Sequence, residues 1–550
     1  VPLGGVGEIG MNMALYGYGS AKDRQWIIVD VGVTFPGPEL PGVNLILPDI
    51  QFVEENIKDI KGIVITHAHE DHYGALLSLW PKMRLPVYCT PFTAGMLESK
   101  MVSEPGAPEI PLHVFKAGET VNIGDFEVEA INVTHSIPEP VALAIKTPLG
   151  KVIHTGDWKM DPDPTLGNVT DEKRLKELGD EGILALVCDS TNAMRDGVSP
   201  TETAVSESLE KVISDAPGRV LITTFSSNAG RIRSIAQAAK KVGRKVMLSG
   251  RSLRRVADVS RELGYLDGLD EFVDEEMFDS IPRKELVMIL TGSQGENRAA
   301  LAKLAFDKHP RLSITPGDSV VFSSRTIPGN EKPIIEIKNE LIEKGVEIIT
   351  DNDALVHVSG HPRIGELKNM YKLVRPTIAV PVHGEAAHLV AHGKLAASFG
   401  VPDVAHVRNG NMLRLAPGPS EIVDDVPFGR TYKDGHVIGT FDDIGVRERR
   451  SISFAGLIVV SANFDVHYNL ADEPDMVIEG LPYLDGHGSS DEDEMEVIIY
   501  SAVMGTIKSF PKNRRKDLAK LRESIRRAVR SAVNERWGKK PVTHVFVNRF

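Results

Sequence analysis

The chain is expected to be an α/β protein in which one domain is split by the insertion of a second and followed by a small α+β module. Three features lead there. Residues 1–205 alternate short β-branched runs (WIIVDVGV, GIVITHAH, FEVEAINVTH, KVIHTGDW, ILALVCDS) with turns and a few helical stretches, and each run ends in polar residues. That is the layout of α/β enzymes, whose loops at strand ends carry chemistry over a buried sheet. Residues 206–345 change rhythm: helices rich in Ala, Arg and Lys (GRIRSIAQAAKKVG, RSLRRVADVSREL, NRAALAKLA) alternate with the strands RVLITTFS, KVMLSG, LVMILTGS and SVVFSS, as in a doubly wound parallel sheet. Residues 346–415 return to the first rhythm, with ALVHVSGHP and TIAVPVHGE again delivering His at strand ends, so the middle unit reads as an insertion. Residues 416–447 carry few periodic apolar positions and suit a linker. Residues 448–550 combine the strands SISFAGLIVVSANF and VTHVFVNRF with one long basic helix near 514–536, and the run Asp491, Glu492, Asp493, Glu494 reads as a solvated loop or helix start.

Composition narrows the function classes. At about 150 residues per domain, 550 residues correspond to three or four units with large cores. A formal charge of −13 excludes a uniformly basic protein that coats nucleic acid. Only Cys89 and Cys188 are present, which argues against a disulfide framework and against a cysteine-ligated metal, so any metal must sit on His and carboxylates. The chain has no apolar run of about 18 residues, and VPLGGVGEIGM lacks a charged and then an apolar targeting region. These features point to a soluble cytoplasmic protein with no membrane partner. Val at position 1 is read as a trimmed start.

The sharpest local pattern is Thr66-His67-Ala68-His69-Glu70-Asp71-His72, directly after the apolar run GIVI. Imidazole nitrogens and carboxylate oxygens suit Zn or Mn, and this dense set can divide between two closely spaced ions. His135 in INVTHSIPE, Asp157 in IHTGDWK and His383 in VPVHGE stand at the ends of other expected strands, where each alone reads equally well as a core or capping residue. Together with the HxHxDH run they fit two sites: His67, His69 and His135 on one ion, Asp71, His72 and His383 on the other, and Asp157 bridging. A water between two cations ionises near neutral pH and becomes a nucleophile. Asp30, at the end of WIIVDVG, is expected to orient a ligand or that nucleophile. Other histidines lack such context. His388 and His392, at i and i+4 on an expected helix, and His154, within a buried strand, are read as structural; His113, His309, His406, His436, His467, His487 and His544 receive no role.

The run His67–His72 with Asp30, His135 and Asp157 resembles the metallo-β-lactamase superfamily, which implies an αββα sandwich. Cys188-Asp189-Ser190-Thr191-Asn192 resembles motif A of the β-CASP nucleases, Val358-Ser359-Gly360-His361 resembles motif B, and Val382-His383-Gly384 resembles motif C. The stretches PLGGVGEIGMN, TTFSSNAGRI, TGSQGE and SSRTIPGNE are similar to bacterial ribonuclease J, and the likeness runs from residue 1 to about 415. It implies a metal-dependent ribonuclease with two divalent ions, Zn2+ first and Mn2+ or Mg2+ as alternatives. It further implies 5′-to-3′ exonuclease and endonuclease activity, a preference for 5′-monophosphate ends, action in mRNA decay and rRNA processing, other RNA-decay proteins as partners, and homo-oligomers (dimer or tetramer). Catalytic roles are expected for Asp71, Asp30, His361 and Asp189: His361 handles the leaving group or grips the phosphate, with Asp189 holding its imidazolium, although a buried cap in the DSTN turn is an alternative for Asp189. His357 and Ser359, on one side of an extended HVSGH strand, are expected to donate to phosphate oxygens together with His361. One departure is visible. Ribonuclease J sequences commonly follow motif B with Gly-Ser-Gln-Glu-Glu, where this chain has Pro362-Arg363-Ile364-Gly365-Glu366, so contacts near a bound nucleotide are expected to differ.

For the RNA path, residues 231–261 and residues 511–540 each carry a net charge of +9, leaving −31 on the rest. Such stretches match a phosphate-backbone footprint, or else a solvated helix face. Ser227, Asn228 and Arg231 are expected in the substrate groove, and the loops TGSQGE and SSNAGR can present backbone N–H groups to a terminal phosphate. Two rival functions are a small-molecule metallo-hydrolase such as a lactonase, opposed by the inserted basic unit, and a non-catalytic RNA-binding scaffold, opposed by the complete ligand set.

Overall fold

The computed structural model describes residues 1–327, 329–483 and 494–550, so His487 and residues 491–493 of the acidic run lie outside the described residues. Two compact units are resolved: one comprises residues 1–34 and 47–430, the other residues 35–46 and 431–550.

The first unit contains two sheets face to face. One has six strands in the spatial order Pro2–Gly4, Met13–Tyr18, Gln25–Val29, Ile60–Val64, Val87–Cys89 and Leu112–Val114. The other has seven, in the order Asp403–Val404, Ile378–Val382, Ala185–Asp189, Gly150–His154, Val141–Thr147, Phe126–Asn132 and Thr120–Ile123. Side chains alternate across a strand, and this chain uses both faces. Phe126, Val128, Ala130, Val141, Leu143 and Ile145 point inward to meet Ile27, Val29 and Val64 of the first sheet. Their neighbours Ile131, Ala142 and Ala144 point outward and pack with Leu175, Leu178, Leu367, Met370, Tyr371 and Ala396 from the helices Glu172–Glu181, Ile364–Val374 and Ala386–Ser398. The helices Leu76–Met83 and Pro91–Ser103 link the parallel strands of the first sheet. This is the αββα sandwich expected from the motifs.

Within the same unit a five-stranded parallel sheet has the order Lys245–Ser249, Leu286–Leu290, Val220–Thr223, Ser319–Phe322 and Glu347–Ile349. Its helices include Ala229–Lys241, Arg251–Glu262 and Glu331–Glu343, and Met288, Leu290, Val320 and Phe322 pack with Leu301, Leu304, Ile334, Ile337 and Leu341. The chain enters this inserted sheet through the helix Glu202–Asp215 and returns to the sandwich after Glu347–Ile349.

In the second unit the sheet has Leu457–Phe464 between antiparallel Asp475–Glu479 and parallel Val542–Arg549. The helices Glu494–Ser509 and Leu518–Trp537 cover one face. Met495, Ile499, Val503 and Ile507 on one, and Leu521, Ile525, Val529 and Val533 on the other, repeat every four residues and so line one stripe against Ile458, Val460, Ala462 and Phe464.

Three local expectations change. The first half of SISFAGLIVVSANF is helical: Val446–Ala455 is a helix ended by Gly456, whose φ of +71° suits glycine and whose N–H returns to the Ile452 carbonyl. In the stretch read as a linker, Glu421–Asp425 pairs with Asn411–Arg414 as a strand. The HVSGH segment is loop rather than strand, outside the ladders of the sheets. Among the described residues no helix is long and apolar enough to cross a membrane.

Candidate metal centre

Parallel pairing brings the polar strand ends to one edge. Val29 lies opposite Val64, so Asp30 and the run beginning at Thr66 emerge side by side. Asp189 lies opposite Val382, and Gly150–His154 runs parallel to Ala185–Asp189, so Asp157, Asp189 and His383 emerge at one end of the second sheet. Asp30 and His383 adopt left-handed backbone, φ +64° and +52°. Non-glycine residues so held cost about 1–3 kcal/mol each, a strain that concentrates where side chains must be aimed.

Seven side chains form two groups sharing Asp157. His67, His69, His135 and Asp157 make one, and Asp71, His72, Asp157 and His383 the other, with the donor atoms of each group within 4.8 Å of one another. Asp157 addresses both: Oδ2 lies 3.8 Å from His67 Nε2 and 3.6 Å from His135 Nε2, while Oδ1 lies 3.3 Å from His72 Nε2 and 3.5 Å from His383 Nε2. Buried Asp157 Oδ1 and His383 Nε2 find no hydrogen-bond partner among the described residues. An orphaned buried acceptor costs about 1–3 kcal/mol, and a divalent cation would satisfy both atoms. The all-N/O donor set suits Zn2+ or Mn2+.

Outer partners set the ring tautomers. His135 Nδ1 donates to the Gly360 carbonyl (2.7 Å), His72 Nδ1 to Asp30 Oδ2 (2.7 Å) and His383 Nδ1 to Asn12 Oδ1 (2.8 Å), which turns each Nε2 lone pair inward. Thr66 Oγ1 donates to Asp30 Oδ2 (2.9 Å) and accepts from His67 Nδ1 (3.0 Å), and the Thr66 N–H donates to Asp30 Oδ1 (2.8 Å). Asp30 therefore orients one ring in each group. Burial, reinforced by neighbouring rings, holds His67 and His135 well below the ordinary histidine range, and burial lowers His69 to about 4. Such rings are neutral, the form that accepts a cation. Burial also opposes charge on His72, but Asp157, Asp71 and Asp30 together raise it well above the usual range. Two glycines are sterically required: a Cβ at Gly360 would sit 2.5 Å from His135 Nδ1, and one at Gly32 would sit 1.7 Å from the Asp71 carbonyl oxygen. The Asp30→Asn variant is expected to lose affinity for metal about 10- to 100-fold, the usual effect of removing an outer partner. Isothermal titration of the metal-free protein measures it, and unchanged affinity would show that Asp30 orients neither ring.

Beside these groups, His361 Nδ1 donates to Asp189 Oδ2 (2.7 Å), and His361, Asp189 and His383 form a third cluster of possible donors. Burial opposes a charge on His361, yet Asp189 and then Asp157 outweigh it and raise the ring to about 9. Asp189 also accepts the Thr191 N–H on Oδ1 (2.8 Å), so the turn-capping and imidazole-holding readings are both satisfied, by different oxygens. Ser359 Oγ accepts from Asn192 Nδ2 (2.9 Å) and from the His361 N–H (3.3 Å), which makes it a brace of its own loop. His357 is held neutral, at about 3, by burial and by Arg231. Two residues received no expectation from sequence. Asn12 bridges His383, His72 Nε2 (3.1 Å) and the Asp71 carbonyl (3.0 Å); its only signal is its place in PLGGVGEIGMN. Glu366, buried, accepts from Met160 N, Ser199 N, Ser199 Oγ and Arg363 N at 2.9–3.1 Å, and so ties together the loops that follow Asp157, Asp189 and His361.

Arg231 is 1% exposed, with its guanidinium on Glu202 (2.8 Å) and the Val356 carbonyl (2.8 Å), so it faces the interior rather than an RNA surface. Asn228 caps the helix Ala229–Lys241 by accepting the Arg231 N–H (2.8 Å), and Ser227 precedes it, half-buried. Much of the +9 over 231–261 is neutralised by acids from other segments: Lys240 by Asp270 (2.9 Å), Lys241 by Glu210 (2.6 Å), Arg261 by Glu271 (3.1 Å). His392 is a core residue between Ser190 Oγ and Tyr371 OH (2.8 and 2.9 Å), and His154 bonds the Tyr16 hydroxyl (2.8 Å), as expected. His135 also lines a cleft of about 250 Å³ with Lys116, Asn132, Asn168 and Tyr265.

Four family models match separate stretches of the chain. A "Beta-lactamase superfamily domain" matches residues 25–172, a "Ribonuclease J, beta-CASP domain" residues 217–341, a "Zn-dependent metallo-hydrolase RNA specificity domain" residues 345–406, and a "Ribonuclease J C-terminal domain" residues 444–550. The chain is 59% identical over 549 residues to a ribonuclease J of Sinorhizobium meliloti, covering 100% of this chain and 97% of that one. A ribonuclease J of Mycobacterium tuberculosis is 36% identical over 546 residues (98% and 95% covered), and one of Thermus thermophilus 37% over 473 (84% and 82%). The crystal structure of a protein of unknown function from Enterococcus faecalis V583 shares the fold, with a TM-score of 0.50 at 16% identity over 74% of this chain and 97% of that one.

Proposed function

The chain belongs to the ribonuclease J family, and on that basis we propose that it hydrolyses RNA phosphodiesters with two divalent metal ions. The observation that carries the reading is the pair of donor groups sharing Asp157, with the His361–Asp189 pair alongside. His67, His69 and His135 would hold one ion and Asp71, His72 and His383 the other. Bound there, divalent ions supply water activation near neutral pH and neutralise charge on the phosphate.

The chain's own residues provide the rest. Asp189 accepts a hydrogen bond from His361 Nδ1–H, which leaves the Nε2 proton for the departing 3′ oxygen. Asp30, Thr66 and Asn12 keep the ligand rings aimed while substrate binds and product leaves. The cleft beside His135 offers Lys116 and two asparagines to RNA.

The finer reading is 5′-to-3′ exonuclease together with endonuclease activity, a preference for 5′-monophosphate ends, Zn2+ as the working ion with Mn2+ or Mg2+ as alternatives, and a role in mRNA decay and rRNA processing. A homodimer or homotetramer in the cytoplasm, together with other RNA-decay proteins, completes the proposal; the cysteines, both buried and free, suit a reducing compartment. Incubation with RNA carrying a 5′-monophosphate or 5′-triphosphate, with and without chelator, tests it. Metal-dependent release of mononucleotides, faster from the monophosphate, is expected, with discrete fragments marking internal cuts. Equal degradation in chelator would overturn the metal assignment.

A further inference from the structure

We propose that Arg231, Glu202 and Lys159 form a buried clasp across both chain crossings between the sandwich and the inserted sheet, and that Arg231 thereby positions the loop carrying His361. The inference rests on the ribonuclease reading. Glu202 stands at the start of the helix through which the chain enters the inserted sheet. One of its oxygens takes Arg231 Nη2 (2.8 Å), and the other faces Lys159 Nζ (3.3 Å). Lys159 follows Asp157 by two residues and also pairs with Asp161 (3.0 Å), whose carboxylate accepts the Glu202 N–H (2.9 Å). The Lys159 carbonyl accepts the hydroxyl of Thr134, the neighbour of His135 (2.7 Å).

Arg231 reaches the other crossing as well. Its Nη1 donates to the Val356 carbonyl (2.8 Å) and to Ser323 Oγ, and Ser323 Oγ donates to the same carbonyl (2.7 Å). Val356 lies on the return path, five residues before His361. All four ionic side chains are buried, and two positive charges balance two negative ones. A buried charge set of this kind is best attested as a device that fixes register, because removing one member strands the others.

The loop needs such a device, since residues 355–359 form no sheet ladder. It is tethered at Val356 by Arg231, at Gly360 by His135, and at Ser359 and His361 by Asn192. The tether at Val356, made by Arg231 and by Ser323 Oγ, comes from the inserted unit, and Arg231, which holds Ser323 Oγ as well, registers the His361 loop to it.

The test compares kcat and KM of Arg231→Met, Arg231→Lys, Glu202→Gln and the Met/Gln double variant on two RNAs. One is ordinary; the other carries a 3′-S-phosphorothiolate at the scissile link, whose thiolate leaves without needing a proton. A misplaced His361 should lower kcat on ordinary RNA about 10- to 100-fold for Arg231→Met, with KM little changed and the thio-linked RNA largely rescued. Arg231→Lys keeps the ion pair without the fork to Val356 and should fall between. The double variant should be scarcely worse than the single ones, because one clasp is broken only once. Unchanged kcat, equal loss on both RNAs, or additive losses would each overturn the proposal. If Arg231→Met does not fold, Arg231→Lys and Glu202→Gln carry the same comparison. Wild-type protein that degrades neither RNA overturns the ribonuclease reading and the clasp with it; an active wild type with indifferent variants overturns the clasp alone.

Discussion

Asp157→Asn is expected to remove both metal ions and to lower RNA cleavage by about a thousandfold or more, the effect of losing several kcal/mol of charge stabilisation. The side chain keeps its size, so the fold is not challenged by a cavity. What changes is charge: one oxygen becomes an amide group that donates toward the two Nε2 atoms it faces, among the four that lie 3.3–3.8 Å from the carboxylate. Because each carboxylate oxygen faces a different donor group, one substitution damages both, whereas His67→Ala on one side would leave Asp71, His72 and His383 intact. Elemental analysis of purified protein beside RNA turnover checks this. Two ions per chain with undiminished cleavage would exclude Asp157 as the shared ligand.

His361→Ala is expected to keep both ions and lower kcat by about 100- to 10,000-fold, the range for loss of a positioned acid. Asp189 holds the ring 2.7 Å away and, with Asp157, keeps it protonated near neutral pH against the pull of burial. An RNA with a thiolate leaving group should recover most of the loss, because its departing atom needs no proton. Loss of metal in this variant would instead make His361 a ligand, which its place in the third donor cluster allows to be tested directly.

Legibility divides along the range of the interactions. The β-branched runs that end in polar residues are visible along residues 1–205, and the HxHxDH run packs four donors into six positions. His135, Asp157 and His383 each close an apolar strand and gain meaning only beside the HxHxDH run, with which the fold brings them together. Arg231 lies inside although the sequence places it in a basic stretch: a count over 231–261 sees the charge, but not that Glu202, Glu210, Asp270 and Glu271 fold back onto it. The local setting of Asn12 and Glu366, a glycine-rich start and the third position of a helix, does not reveal their partners, which lie from tens to hundreds of residues away. SISFA has β-branched character, yet Gly456 and its surroundings end a helix there.

Hydrophobic period and residue chemistry are local properties, so the α/β alternation, the parallel insertion and the donor types can be read along the chain, while the αββα arrangement follows from the resemblance that the motifs carry. Tertiary structure alone decided which oxygen of Asp157 faces which group, which nitrogen each imidazole turns inward, and that Arg231 lies inside. Those are settled by hydrogen bonds and ion pairs between strand ends and loops that meet only when the sheets have closed, and in a buried, low-dielectric setting each polar atom must find its partner there.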